Sequence, residues 1–140
     1  MTSTQIVERT PTLAQYRELR GAVGWRDIPD PVAARGIPNS LYCLCAEAEG
    51  RTVGCARIVG DGAVYFYIQD VIVHPDFQGR GIGAALMDHL LGFLRRAAEP
   101  GSFVGLMAAQ GASAFYERYG FAEREAGRPG MFKIWSEADR

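Results

Sequence analysis

The sequence predicts an α/β fold with a mixed, mostly antiparallel sheet and helices on both faces. Three observations carry this. β-rich runs at residues 41–46, 52–59 and 63–73 are separated only by the turn signals Ala48-Glu49-Gly50 and Gly60-Asp61-Gly62, which makes an antiparallel meander. A long helix follows, with Ile82, Leu86, Leu90, Phe93 and Leu94 on one stripe. A further β-run at residues 103–108 comes after that helix, so only this last pair of strands is parallel.

The remaining elements follow in chain order. Residues 5–9 read as a first strand, and Thr12 caps a helix whose Leu13, Tyr16, Leu19 and Val23 recur at near-helical spacing until Gly24 stops it. Asp30 and Pro31 read as the N-cap and first turn of a very short helix that Gly36 and Pro38 end. Between these helices lies an irregular stretch with Trp25 and Asp27. The run from Tyr65 to Val73 is apolar on both faces toward its end, which predicts a strand inside the sheet rather than at its edge. Pro100 and Gly101 close the long helix, residues 103–108 read as a buried strand, residues 113–119 as a short helix closed by Gly120, and residues 131–135 as a last strand.

Composition bounds the function. At 140 residues and 48% hydrophobic, residues 1–140 are expected to form one domain with a real core. Lys and Arg number 15 against 16 Asp and Glu, so no global basic field exists and nucleic acid is not expected as a partner. Residues 1–12 lack the apolar run of a signal peptide and no stretch suits a membrane span, so a cytoplasmic protein without membrane contact is expected. Cys43, Cys45 and Cys55 lack metal-ligand spacing and read as small hydrophobes in strands of a reduced protein; no metal is expected.

The chemistry concentrates in Gln78-Gly79-Arg80-Gly81-Ile82-Gly83, placed between a buried strand and a helix. There, backbone amides and the helix dipole can receive an anion, glycines let the main chain approach phosphates, and Arg80 can add a charge-assisted contact. A loop that merely turns the chain is the bland alternative. Gly79, Gly81 and Ala84 also satisfy the dinucleotide fingerprint, but the context argues against it. The chain has one long crossover rather than several βα units, Glu99 falls in the loop before Phe103, and the glycines begin five residues beyond His74.

These residues resemble the GNAT acetyltransferases, whose pyrophosphate signature is Gln or Arg, two residues, Gly, one residue, Gly or Ala; Gln78, Gly81 and Gly83 match it. Asp70 to Gln78 is similar to the family's fourth strand and turn, and Ala114 to Phe121 to its final helix and following strand. The resemblance implies a splayed parallel strand pair. It also implies acetyl-CoA as acyl donor, held by Gln78, Gly79, Arg80, Gly81, Ile82, Gly83 and Ala84 and by the backbone of Val71, Ile72 and Val73 beside a bulge. Gln110 stands where many relatives carry a pantetheine-binding asparagine, and Tyr116 where the family places a tyrosine able to protonate the departing thiolate.

Asp70 reads either as the base that takes the amine proton or as a salt-bridge partner within the sheet. Tyr67 and Gln69 alternate along the same strand and can line an acceptor pocket, with Tyr65 in the same phase. By resemblance, Trp25, Asp27 and Asp30 form one wall of that pocket and residues 125–130 the other. His74 reads as shaping a turn and His89 as packing or surface. The implied activity is acetyl transfer to a primary amine, most simply that of a small molecule, by direct attack. An acyl-CoA-binding regulator and an enzyme acting on a protein amine are the alternatives, and a homodimer stays open.

Overall fold

Two tight turns set the sheet. Glu49 and Gly50, both at positive φ, form the two-residue turn that reverses the chain between β2 (Tyr42–Ala48) and β3 (Arg51–Gly60). Asp61 Oδ1 accepts the N–H groups of Ala63, Val64 and Tyr65 and so shapes the turn into β4 (Tyr65–Val73), which holds the Asp61 carboxyl below the usual carboxylate range. The computed structural model describes residues 3–140, in two compact units that divide after Met107.

The first unit contains β1 (Gln5–Glu8), α1 (Leu13–Ala22), α2 (Asp30–Gly36), β2, β3, β4, α3 (Ile82–Ala97) and β5 (Phe103–Leu106). Its sheet has the order β1-β2-β3-β4-β5, antiparallel throughout except for the parallel pair β4 and β5. Successive β3 residues address opposite faces. A Cβ on Gly54 would meet Leu86 of α3, whereas Cys55 packs with Leu19 of α1 and Ile72 of β4. The two long helices therefore cover opposite faces of the sheet, as the sequence predicts.

Each helix has a local cause. Thr12 Oγ1 accepts from Gln15 N, and the Gln15 side chain accepts from Thr12 N, a reciprocal cap that starts α1. In α3, Ile82, Leu86, Leu90 and Leu94 are buried at helical spacing, and half-buried Phe93 stacks on Tyr42 at 4.6 Å. Among the described residues no helix is long and apolar enough to cross a membrane.

The structure departs from the sequence reading at several points, among them the ends of the strand read at 103–108, which stops at Leu106, and of the helix read at 113–119, which stops at Glu117. Asp30 is the first helical residue of α2 and Pro29 occupies the cap. The strand at residues 103–106 is an edge strand with Phe103 46% exposed, because nothing in its sheet lies beyond it. Residues 131–135 form no strand: no ladder partner bonds them, and Met131, Phe132 and Trp135 stay exposed. Alternating apolar residues make a strand only where a neighbour supplies hydrogen bonds.

Leu86 is fully buried beneath β3. Leu86→Ala should therefore lower unfolding free energy by about 2–5 kcal/mol. Urea titration checks this, with the denaturation slope unchanged and only the midpoint moved.

Candidate functional site

β4 carries one more residue than its partner. Gln69 stands opposite Arg57 and Ile72 opposite Cys55, so three steps along β4 match two along β3. The surplus falls at Asp70, a non-glycine residue with φ 55°. Its effect on phase is visible in the neighbours. Ile68 pairs with Ile58, on the α3 face of β3, while Ile72 pairs with Cys55 on the α1 face, although the two isoleucines have the same parity.

The bulge is gripped from two elements. Asp70 is buried, and its carboxylate accepts from Tyr16 Oη at 2.8 Å, Arg20 Nη1 at 2.8 Å and Arg57 Nε at 2.9 Å. The Cys55 thiol donates to the Asp70 carbonyl at 3.3 Å. Arg20 also donates to the Arg26 carbonyl and stacks near Tyr16 and Trp25, and Arg57 Nη1 donates to Ser40 Oγ. Of the two sequence readings of Asp70, the geometry matches the salt bridge. Both oxygens already accept from charged or phenolic donors, Oδ1 from Arg20 and Oδ2 from Tyr16 and Arg57.

Tyr16, Arg20 and Arg57 escaped the functional reading of the sequence. The available signal was a charge at a core position: Tyr16 and Arg20 share one face of α1 at i, i+4, and Arg57 and Asp70 interrupt otherwise uncharged strand interiors.

Beyond the bulge, β4 has no strand on its outer side. β5 ends at Leu106, opposite Ile68. His74 N donates to Val53 O at 2.8 Å, and the two-residue period of the ladder places the Ile72 main chain on that β3 side too, turning Val71 and Val73 outward. Gln78 Nε2 donates to the outward Val73 carbonyl at 2.9 Å. Ile72, expected as a third backbone ligand, is thus committed to the sheet.

The glycine loop meets its steric requirements. Gly79 at φ 78° and Gly81 at φ 82° adopt a conformation that other residues rarely hold, and each has open space where a Cβ would stand. Gly81 caps α3 without any side-chain acceptor, and the helical ladder begins at Ala85 N, leaving the amides of Ile82, Gly83 and Ala84 without helical partners. Arg80 is exposed, donates to the Asp76 carbonyl and lies 4.7 Å from the Phe77 ring centre. Unpaired amides, a helix N-terminus and one cation suit a phosphate-bearing ligand.

The other predicted residues divide. Tyr67 and Gln69 pair with Val59 and Arg57 on the α1 face, where half-buried Trp25 packs on the Leu19, Cys55 and Ile72 cluster. Asp27 is exposed and lies 3.8 Å from Arg17, which also binds Asp30. Gln110 and Tyr116 belong to the second unit. There Tyr116 sits half-buried on α4 (Ser113–Glu117), packed edge-on against Phe115 and Phe121, and burial pushes its phenol pKa up. Gln110 is exposed, as are residues 125–130. His74 Nδ1 accepts from Asp76 N, the turn-shaping role expected of it. The three cysteines are buried and free, and no three His, Cys, Asp or Glu side chains among the described residues stand together as a metal site requires.

Burial, then the Asp70 charge and its hydrogen bond, push the Tyr16 phenol up to about 12. Folding thus favours the protonated phenol. The resulting stability is complete below the unfolded value near pH 10 and is lost as pH rises through about 12, on the order of 2–3 kcal/mol in total. Urea titrations across that window should show a steeper loss for the wild type than for Tyr16→Phe, and parallel curves would refute the assignment.

Comparison with known proteins agrees with this geometry. The family described as "Acetyltransferase (GNAT) domain" matches residues 39–123, more than half of the chain. An uncharacterized N-acetyltransferase, ycf52, of Pyropia yezoensis is 32% identical over 124 residues, covering 86% of this chain and 70% of that protein. A probable acetyltransferase, SA2161, from meticillin-resistant Staphylococcus aureus superposes with a TM-score of 0.91 at 27% identity, covering 95% of this chain and all of that one. The GNAT protein SP0256 from Streptococcus pneumoniae gives a TM-score of 0.77 at 30% identity over 98% of this chain and all of that one. With an uncapped helix N-terminus behind a glycine loop and a bulged fourth strand splayed from the fifth, the chain belongs to the GNAT family of acetyltransferases.

Proposed function

We propose that residues 1–140 act as one catalytic domain that moves an acetyl group from acetyl-CoA to the primary amine of a small molecule. The observation that carries this reading is the union of two backbone surfaces: the Ile82, Gly83 and Ala84 amides of α3, which lack helical partners, and the outward main chain of Val71 with the outward Val73 N–H, the Val73 carbonyl being taken by Gln78. The first suits the donor's pyrophosphate, with Gly79 and Gly81 giving access and Arg80 adding charge. The second suits an amide-bearing arm laid along a strand edge. Gln110 is read as a further polar contact to that arm.

Bound there, acetyl-CoA supplies an activated acyl thioester. The chain's own part is positioning and electrostatics. An outward N–H of Val71 or Val73 can donate to an oxygen on which negative charge develops. Tyr116 is read as the proton source for the leaving sulfur, a phenol being protonated at neutral pH. Asp70 is closed off, so the amine's proton leaves to solvent beside Tyr67 and Gln69. The ring of Trp25 and the carboxylate of Asp27 favour a cationic acceptor. The three cysteines fit a reducing compartment, the cytoplasm.

Acetyl-CoA at about 100 times its dissociation constant should stabilise the protein by roughly 2.7 kcal/mol, whereas NAD should not. Thermal shifts with both ligands test this, and a shift with NAD alone would sink the reading. Gly81→Val should abolish the acetyl-CoA shift while circular dichroism stays native.

Tyr116→Phe should leave acetyl-CoA affinity nearly intact and reduce single-turnover acetyl transfer by about 10²–10⁴, the usual contribution of a general acid. Thiol release against a panel of small amines and peptides measures this and identifies the acceptor. Unchanged single-turnover chemistry would return Tyr116 to the packing role its aromatic neighbours already give it.

A further inference from the structure

We propose that Asp70 is a positioning residue: the hold of Tyr16, Arg20 and Arg57 on its carboxylate fixes the bulge whose phase turns the Val71 and Val73 main chain outward. The inference rests on the acetyl-CoA reading above for its functional consequence.

A side-chain and hydrogen-bonding period of two makes a strand sensitive to a single residue. Removing the surplus at Asp70 would shift everything beyond it by one place, so that Ile72 faced outward and Val71 and Val73 turned into the β3 ladder. The outward groups would then move from their register with the α3 amides. Left to itself, a residue such as Asp70 does not prefer φ 55° inside a strand. Something must select it, and the donors at 2.8, 2.8 and 2.9 Å come from α1 and from β3, the two elements that flank the bulge. The Cys55 thiol bonded to the Asp70 carbonyl holds the main chain of the same residue. The carboxylate is buried and its donors leave it no solvent-facing role. Its chemistry is spent on geometry.

The test compares wild type with Asp70→Gly, which accepts positive φ but loses the carboxylate, and with Asp70→Asn, which tolerates the same φ and keeps an acceptor oxygen. Leu44→Ala removes a fully buried side chain on β2, which β3 separates from β4, and controls for lost stability. Calorimetry with acetyl-CoA is run at a temperature where each variant is folded, beside amide hydrogen exchange at residues 71–73. Wild type should protect Ile72 and leave Val71 and Val73 fast. Asp70→Gly should lose this alternation and bind acetyl-CoA at least about tenfold more weakly, the effect of one charge-assisted contact or more. Asp70→Asn should fall between, and Leu44→Ala should keep both the pattern and, within about twofold, the affinity.

A folded Asp70→Gly with wild-type affinity overturns the proposal. So does one that loses affinity while keeping the exchange pattern. If Asp70→Gly does not fold, Tyr16→Phe decides: a loss of about threefold in affinity supports the hold, and none overturns it. If wild type itself does not bind acetyl-CoA, the functional reading falls, and the exchange pattern alone still judges whether Asp70 sets the phase.

Discussion

One surplus residue in β4 governs the arrangement around it. Before Asp70 the strand is paired on both sides, to β3 and to β5; after it, the strand keeps β3 alone. A regular strand could not make this change cleanly, because its period would carry Ile68 and Ile72 to the same face. With the bulge, Ile68 lies opposite Ile58 and Ile72 opposite Cys55, so each helix receives an isoleucine from β4 and the outer backbone is released where β5 stops. Left-handed geometry costs an ordinary residue about 1–2 kcal/mol, and less for aspartate. Hydrogen bonds to charged groups return a net of about 1.5–3 kcal/mol each. Several such donors converge on one carboxylate, so the left-handed geometry is held with a margin.

The charge balance of that cluster shapes its surroundings. Two guanidiniums meet one carboxylate, so a net positive charge is held between α1 and the sheet. Burial works against the Arg57 charge, yet Asp70 outweighs it and holds its pKa above the ordinary value. Arg20 spreads its own charge over the Arg26 carbonyl and the rings of Tyr16 and Trp25. This ties the segment after α1 to the bulge. Trp25 is therefore half-buried structure, and the acceptor wall proposed on the α1 face depends for its position on the same carboxylate.

Much of the sheet was legible because its signals are local. Glu49-Gly50 can hardly do anything but turn, Thr12 with Gln15 spells a cap, and the α3 stripe repeats at helical spacing. The glycine loop was legible for a related reason: positive φ at Gly79 and Gly81 is written in the residue type itself. Asp70 was half legible. A lone acid in an apolar strand announces a partner or a function, but the choice depended on Arg20 and Arg57, which are 50 and 13 residues away and meet it only in the fold. Residues 131–135 misled for the converse reason, since apolar alternation records an available face and says nothing of whether a neighbouring strand will pair with it.

The two halves of the proposed chemistry differ in how deeply sequence encodes them. Donor binding rests on main-chain groups, and main-chain geometry is set by glycines, a bulge and the end of a strand, each traceable to one or two residues. Acceptor recognition rests on side chains drawn from separate stretches, Trp25 and Asp27 after α1 and Tyr67 with Gln69 on β4, whose mutual placement no local rule dictates. A backbone site also tolerates side-chain substitution around it, because Val71 and Val73 would offer the same N–H and C=O groups as most other residues. In this chain the proposed donor site can therefore persist while the proposed acceptor wall changes, and Asp70 stands at the joint between them, its carboxylate tied to the α1 side and its backbone conformation to the open edge of β4.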